Sequence, residues 1–156
     1  MLESFESLLL AQENRPTSSS IGEFGEEAAA VYLELRGLDI VASNFKAPIG
    51  RNRKGVQVTG EIDLIALDNE TICFIEVKTR SSDTFAAPLS AVDLRKQRQI
   101  TRTSRVYRKT FKLNRQKCRF DVVSVILNGK KAPKIELIKG FWNEAKFRKR
   151  IWSGDP

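Results

Sequence analysis

The chain reads as a single α/β domain built on a mixed central sheet. Three observations predict this. Its segments run helix, strand, hairpin, helix, strand, strand, the order expected when helices cover a sheet containing both parallel and antiparallel pairs. Its 156 residues suit one domain. With 41% hydrophobic and 29% charged residues, it can bury a core rather than stay disordered. No internal repeat or heptad array competes with this reading.

Residues 1–20 read as an N-terminal extension. The short apolar run Leu8-Leu9-Leu10 follows acidic Glu3 and Glu6, so it lacks the basic lead of a signal peptide. Asn14-Arg15-Pro16-Thr17 then breaks any regular pattern. Ser20-Ile21-Gly22-Glu23 fits a capping box and predicts a helix to about Arg36, with Phe24, Ala28, Val31, Tyr32 and Leu35 inward. Gly37 is its expected left-handed stop. A strand is expected over 39–45. A loop is expected over 47–55, with Arg51, Arg53 and Lys54 at its tip.

Strands are predicted over 56–67 and 71–80, joined by the hairpin turn Asp68-Asn69-Glu70. A loop to Pro88 leads to a long helix from about Ser90 to Lys112. Arg119–Leu127 is a strand whose apolar run is interrupted by Asp121, and Asn128-Gly129 turns the chain into a last strand, Lys134–Ile138. The domain body spans 21–140. Residues 141–156 read as a basic, aromatic tail, with Phe141, Trp142, Phe147 and Trp152 among Lys146, Arg148, Lys149 and Arg150.

Composition narrows the chemistry. A net charge of +8 favours a polyanionic partner, with nucleic acid first and an anionic membrane surface second. No apolar run is long enough to span a bilayer, so no membrane insertion is expected. The chain has no histidine, which excludes Ser-His-Asp and Cys-His catalysis. Any metal must then be held by oxygens, which selects a hard cation such as Mg²⁺ or Mn²⁺. The two cysteines, Cys73 and Cys118, form no zinc spacing. Cys73 sits in an apolar strand as a small buried hydrophobe, and a reducing cytoplasm is the expected compartment.

The informative stretch is Gly60-Glu61-Ile62-Asp63-Leu64-Ile65-Ala66, followed by Phe74-Ile75-Glu76-Val77-Lys78-Thr79-Arg80. Strand alternation puts Glu61 with Asp63 on one face, and Glu76 with Lys78 on one face. Folding over a two-residue turn at Asn69-Glu70 pairs Asp68 with Thr71, sets Asp63 opposite Glu76, and sets Glu61 opposite Lys78. Two carboxylates that close repel unless a proton or cation intervenes. A divalent cation with a lysine on the same face is what phosphodiester hydrolysis uses. From spacing alone, a solvated face of cross-strand salt bridges remains the alternative.

Two features of the long helix bear on that choice. Lys96 falls in the middle of the face that carries Val92, Ile100, Thr103, Val106, Tyr107, Thr110 and Phe111. An inward lysine needs an anionic partner, although snorkelling past the core edge would also accommodate it. On the other side, Arg95, Arg98, Arg102, Arg105, Lys109 and Lys112 form one basic stripe. Like charges at that spacing repel, and a phosphate backbone would relieve them. A solvated helix surface or an anionic membrane would satisfy the stripe as well.

At these residues the chain resembles the YraN family of bacterial proteins, which is related to archaeal Holliday-junction resolvases and the wider PD-(D/E)xK superfamily. Gly25-Glu26 with Ala29 and Tyr32-Leu33 is similar to the family's first helix, and Asn44 with Lys46 to its Asn-x-Arg strand end. Ala91-Val92 with Lys96, and Arg119-Phe120-Asp121-Val122-Val123, are similar to its later motifs. The resemblance covers about residues 21–127. The stretch between Asn44 and Gly60 is longer than usual there, and Ala87 stands where a glycine is common.

The resemblance implies a restriction-endonuclease-like mixed sheet flanked by helices. It places Asp63, Glu76 and Lys78 at the catalytic positions and Glu26 at the first-helix acid. Lys96 falls where an extra polar residue from the following helix is often found. Glu26, Asp63, Glu76 and the Val77 carbonyl would ligate metal. The function it implies is a Mg²⁺- or Mn²⁺-dependent endonuclease acting on DNA, including branched DNA, and its resolvase relatives imply a homodimer. The alternatives are a non-catalytic nucleic-acid-binding module on the same fold, and a basic scaffold docking to an acidic protein or membrane.

Overall fold

The computed structural model of the protein describes residues 18–81 and 92–148. Residues 1–17, 82–91 and 149–156 lie outside the described residues, and with them most of the expected N-terminal extension, the loop to Pro88 and the end of the basic tail.

Helix α1 spans Ser18–Leu35 and strand β1 spans Asp39–Arg51. Strands β2 (Gln57–Asp68) and β3 (Thr71–Ser81) follow, then helix α2 (Leu94–Thr110). Strands β4 (Cys118–Asn128) and β5 (Lys131–Trp142) complete the sheet, and a short 3₁₀ turn covers Glu144–Phe147. Among the described residues the sheet order is β1-β2-β3-β4-β5, with only the β3–β4 pair parallel. That parallel pair needs a crossover, and α2 lies within it. This is the mixed, helix-flanked sheet that the sequence predicts, in a restriction-endonuclease-like arrangement.

Each of the two described α-helices covers one sheet face. Ala29 and Leu33 of α1 pack with Leu64, Ala66, Cys73, Ile75, Val77, Val123 and Val125. Ile100 and Tyr107 of α2 pack with Ile62, Ile65, Ile72, Phe74, Phe120 and Val122. The alternation of these strand residues between the two clusters is the two-residue period of a sheet buried on both faces.

Several boundaries differ from expectation. Ser20, the expected N-cap, lies inside α1, which starts at Ser18. Gly37 ends the turn after α1 at φ +87°. Strand β1 does not stop at Phe45 but runs through Ala47-Pro48-Ile49-Gly50. Ala47 and Ile49 are buried there, so composition suggested a loop where packing holds a strand. The Arg51–Gly55 tip is correspondingly short, and Asn52 Oδ1 caps it by accepting from Lys54 N and Val56 N. Strand β5 extends to Trp142, so Phe141 and Trp142 belong to the sheet. Trp142 stacks on Phe120 at 5.0 Å and donates from its indole to Thr101 Oγ1 at 2.9 Å.

Candidate active site

The site lies where the sheet forks. Strands β2 and β3 pair from Asp68↔Thr71 to Leu64↔Ile75 and no further. The expected hairpin register is therefore the observed one over that stretch. It does not continue to the expected pairs Asp63 with Glu76 and Glu61 with Lys78. Instead β2 stays with β1 as far as Gln57, while β3 stays with β4 as far as Ser81.

The reason is local. Ile62 packs on the α2 face, whereas Leu64, two residues later, packs on the α1 face. Simple alternation would put both on one face. The strand therefore turns over at Asp63. The Asp63 side chain enters the fork, and its Oδ2 accepts from Val77 N at 2.8 Å.

Glu76 is buried at the fork, only 2% exposed. Its Oε1 takes Lys78 Nζ at 2.9 Å and Lys96 Nζ at 3.7 Å. Its Oε2 is buried with no hydrogen-bond donor. Lys96 thus sits on an inward position with the carboxylate partner its place on the helix demands. Asp93 caps α2 by accepting from Lys96 N at 2.8 Å, which fixes the first turn from which Lys96 reaches.

Burial, then the neighbouring Glu76, push the Asp63 carboxyl from 3.8 up to about 8. The Val77 N–H opposes that rise. Glu26 is also raised: burial is the largest cause, the Asn44 amide opposes it, and Glu61 and Glu76 add to it. With its NH₂ turned towards the acids, Asn44 donates to Glu26 Oε2 at 3.0 Å and to Glu61 Oε1 at 3.3 Å. Glu26 is brought over the sheet by its neighbour. A Cβ at Gly25 would stand 1.7 Å from Thr79 Oγ1, so only glycine lets α1 come this close to β3. A second such contact seats α2, since a Cβ at Gly60 would stand 1.9 Å from Thr103 Oγ1.

The fork thus brings together Asp63, Glu76, Lys78 and Lys96, with Glu26 as a third acid coupled to both carboxylates but tied to Asn44. Among the described residues, no three acid or thiol side chains close around one point as a ready-made metal cage. The donor chemistry still fits a hard divalent ion. Mg²⁺ keeps several waters and is commonly held by one or two carboxylates. An unsatisfied buried carboxylate oxygen beside a second acid of raised pKa is a place short of positive charge. Cys73 offers no competing chemistry, because burial pushes its thiol up to about 12.

The expected nucleic-acid residues lie on α2 and at the β1–β2 tip, with different degrees of freedom. Arg95, Arg98 and Lys109 are exposed along α2, with the Arg98 guanidinium 5.7 Å from the Phe147 ring centre. Arg102 is exposed but donates to the Ile49 carbonyl, tying α2 to β1 beside Gly50. Arg105 is engaged with Glu144 at 2.8 Å. At the β1–β2 tip Arg53 and Lys54 are exposed, while Arg51 donates back to Gly55 O at 2.8 Å. The opposite helix has the opposite sign. α1 carries Glu23, Glu26, Glu27 and Glu34 and no basic residue, whereas α2 carries seven basic residues and no acid.

Sequence reading missed Asn44 as a site residue, and it missed the buried polar links of α2. Gln97 donates to Val92 O at 2.9 Å and accepts from Lys146 Nζ at 3.3 Å. Arg108 is 9% exposed and pairs with Glu144 at 2.9 Å. No spacing signal marks these residues, because Lys146 lies 49 residues from Gln97 and Glu144 lies 36 from Arg108.

No helix among the described residues is long and apolar enough to cross a membrane. A UPF0102 protein of Caldanaerobacter subterraneus subsp. tengcongensis is 41% identical over 112 residues, covering 72% of this chain and 84% of that one. One from Solibacter usitatus is 40% identical over 119 residues, covering 76% and 83%. One from Syntrophus aciditrophicus is 42% identical over 118 residues, covering 76% and 84%. Among solved structures, that of SSO0001 overlays at a TM-score of 0.37 and 16% identity, covering 92% of this chain and 62% of that one. The sequence model of the family described as "Uncharacterised protein family UPF0102" matches residues 25–125, a span that holds Glu26, the whole fork and both helix-seating glycines, and the chain belongs to that family.

Proposed function

We propose that this protein is a divalent-metal-dependent endonuclease acting on DNA phosphodiester bonds, including those of branched DNA, in the cytoplasm. The observation that carries the reading is the orphaned, buried Glu76 Oε2 beside Asp63, flanked by two lysines. With Asp63 ionised, leaving such an oxygen without a donor costs on the order of 1–3 kcal/mol or more, which favours a ligand-binding role for the pair.

Asp63, Glu76 and the Val77 carbonyl, joined by Glu26, would hold Mg²⁺ or Mn²⁺. The bound ion would supply Lewis-acid activation of the phosphate and of the attacking water. Lys78 and Lys96 are the chain's own contribution at the reacting centre. Glu76 holds both ammonium groups at its Oε1, which aims them. From there Lys78 can orient the water and offset the charge that grows on the phosphate oxygens. Lys96, 30% exposed at its side chain, meets a phosphate entering from the α2 side. The exposed basic face of α2 and the Arg53–Lys54 tip would track the flanking backbone.

The test is cleavage of a panel of linear, nicked and branched DNAs with Mn²⁺ by wild type and Asp63→Ala. Wild-type cleavage lost in the variant supports the reading, and equal cleavage by both rejects it. The lack of a three-acid cage among the described residues favours a second reading, a DNA-binding module without turnover. That reading predicts salt-sensitive DNA binding and no cleavage with any metal.

A further inference from the structure

We infer that Asn44 is a positioning residue of this site: it aims Glu26 and holds the β1–β2 arm turned over beside Asp63. The inference rests on the proposed role of Glu26 and Asp63 as cation-holding acids.

Two independent features of one residue carry it. The first is backbone. Asn44 has φ +50°, in the left-handed region that asparagine tolerates better than other non-glycine residues. In the β1–β2 ladder, Ser43 pairs with Leu64 and Phe45 with Ile62, which sets Asn44 against Asp63. Both strands change face at that point. Ile62 and Leu64 pack on opposite faces. Ala42 and Phe45, three residues apart, pack on the same face, with Phe45 edge-on to Tyr107 at 5.0 Å. A regular pair of strands would do neither. The left-handed step at Asn44 supplies the half-turn that lets Asp63 leave both faces and enter the fork.

The second is the side chain. One NH₂ group has two hydrogens, and here it has two carboxylates, Glu26 at 3.0 Å and Glu61 at 3.3 Å. These acids come from different elements and repel each other. A shared donor is what allows a half-buried Glu26 to stay close to a strand that also carries Glu61. Glu61 has Lys46 as a second, longer contact at 4.0 Å, so Glu26 depends on the amide more. Residues that orient a ligating carboxylate in this way commonly change metal affinity by about 10–100-fold when removed.

Asn44→Gly separates the two features, because glycine keeps the left-handed backbone and deletes the amide. Calorimetric Mn²⁺ binding by Asn44→Gly should weaken by about tenfold or more with the melting temperature held. In a Glu26→Gln background the same substitution should add little, since Asn44 acts through Glu26. A metal-free readout accompanies these. The Asn44 side-chain NH₂ resonances should shift in Glu26→Gln and move less in Glu34→Gln. Wild-type Mn²⁺ affinity in Asn44→Gly, full additivity with Glu26→Gln, or NH₂ resonances indifferent to Glu26→Gln would each overturn the inference. If wild type itself takes up no Mn²⁺, the functional reading falls, and the resonance comparison still decides the role of Asn44.

Discussion

Val77 gives its backbone N–H to Asp63 Oδ2 at 2.8 Å; Asp63 lies one residue and Val77 two residues beyond the last β2–β3 pair, Leu64↔Ile75. A strand donor that has lost its neighbouring carbonyl is thus satisfied by a carboxylate, as a buried N–H must be. The same bond fixes Asp63 against Glu76, so the break in the sheet and the assembly of the acids are one event.

That placement has a consequence for stability against pH. Burial and Glu76 raise Asp63 from 3.8 to about 8. The folded protein then keeps a proton that the unfolded chain releases above about pH 4, and metal-free stability falls as pH rises from about 4 to about 8. Asp63→Asn removes this dependence, and its amide can donate to Glu76 at pH values where the ionised Asp63 carboxylate cannot. Metal-free Asp63→Asn should therefore melt higher than wild type at pH 8, by about 1–3 kcal/mol, with the gap closing near pH 4. Calorimetric melting at both pH values checks it, and a variant less stable at pH 8 would contradict it.

Metal uptake should follow the opposite trend. A ligating carboxylate must lose its proton, so Mn²⁺ binding by wild type should tighten between about pH 6 and pH 8 and release protons. Calorimetry in buffers of different ionisation enthalpy measures that release. A pH-independent affinity would mean that Asp63 takes no part.

Gly25→Ala tests how α1 is seated. Alanine favours a helix over glycine by about 1 kcal/mol, but here its Cβ would collide with Thr79. The collision should win, with a net loss of about 1–3 kcal/mol. Denaturant unfolding decides the sign. A stabilised variant would show that α1 need not lie so close to β3.

The charge difference between the two helices predicts where a polyanion binds. Neutralising Arg95, Arg98 and Lys109 together should weaken DNA binding and lower the slope of log affinity against log salt by about one unit per lost phosphate contact. Neutralising Glu27 and Glu34 on α1 should leave that slope unchanged. Equal effects from the two helices would remove the assignment of α2 as the binding face.

Glu144 carries a structural prediction. Burial would raise its carboxyl, but the hydrogen bonds from Arg105 and Arg108 outweigh that and hold it below its usual range. Its contribution is present above the unfolded carboxylate pKa and is lost as pH falls through the lowered folded one. Glu144→Ala strands the nearly buried Arg108 and should cost about 2–4 kcal/mol. Thermal melts at pH 7 measure it, and a loss well under 1 kcal/mol would place the Arg108 charge in solvent.

Much of this was legible in the residues. Hydrophobic period gave the two helices and five strands of the described residues, because one face or both of each element is buried and the pattern records that. The Asp68↔Thr71 register follows from a two-residue turn at Asn69, which adopts φ +54°. Lys96 was legible as an inward cation because helical geometry is a fixed rotation per residue. β1 was read as too short, because Pro48 and Gly50 look like a loop until Ala47 and Ile49 are seen buried. Arg105 read as free because Glu144 lies 39 residues away.

By itself, then, the sequence determined the layers and the hairpin register next to the turn, both of which depend on near neighbours. Only the tertiary structure decided that β2 parts from β3 at Asp63, that Asn44 binds Glu26, and that Gly25 and Gly60 let the helices close in. Those outcomes depend on how side chains from distant segments fill one shared space, and a linear pattern carries no measure of that distance.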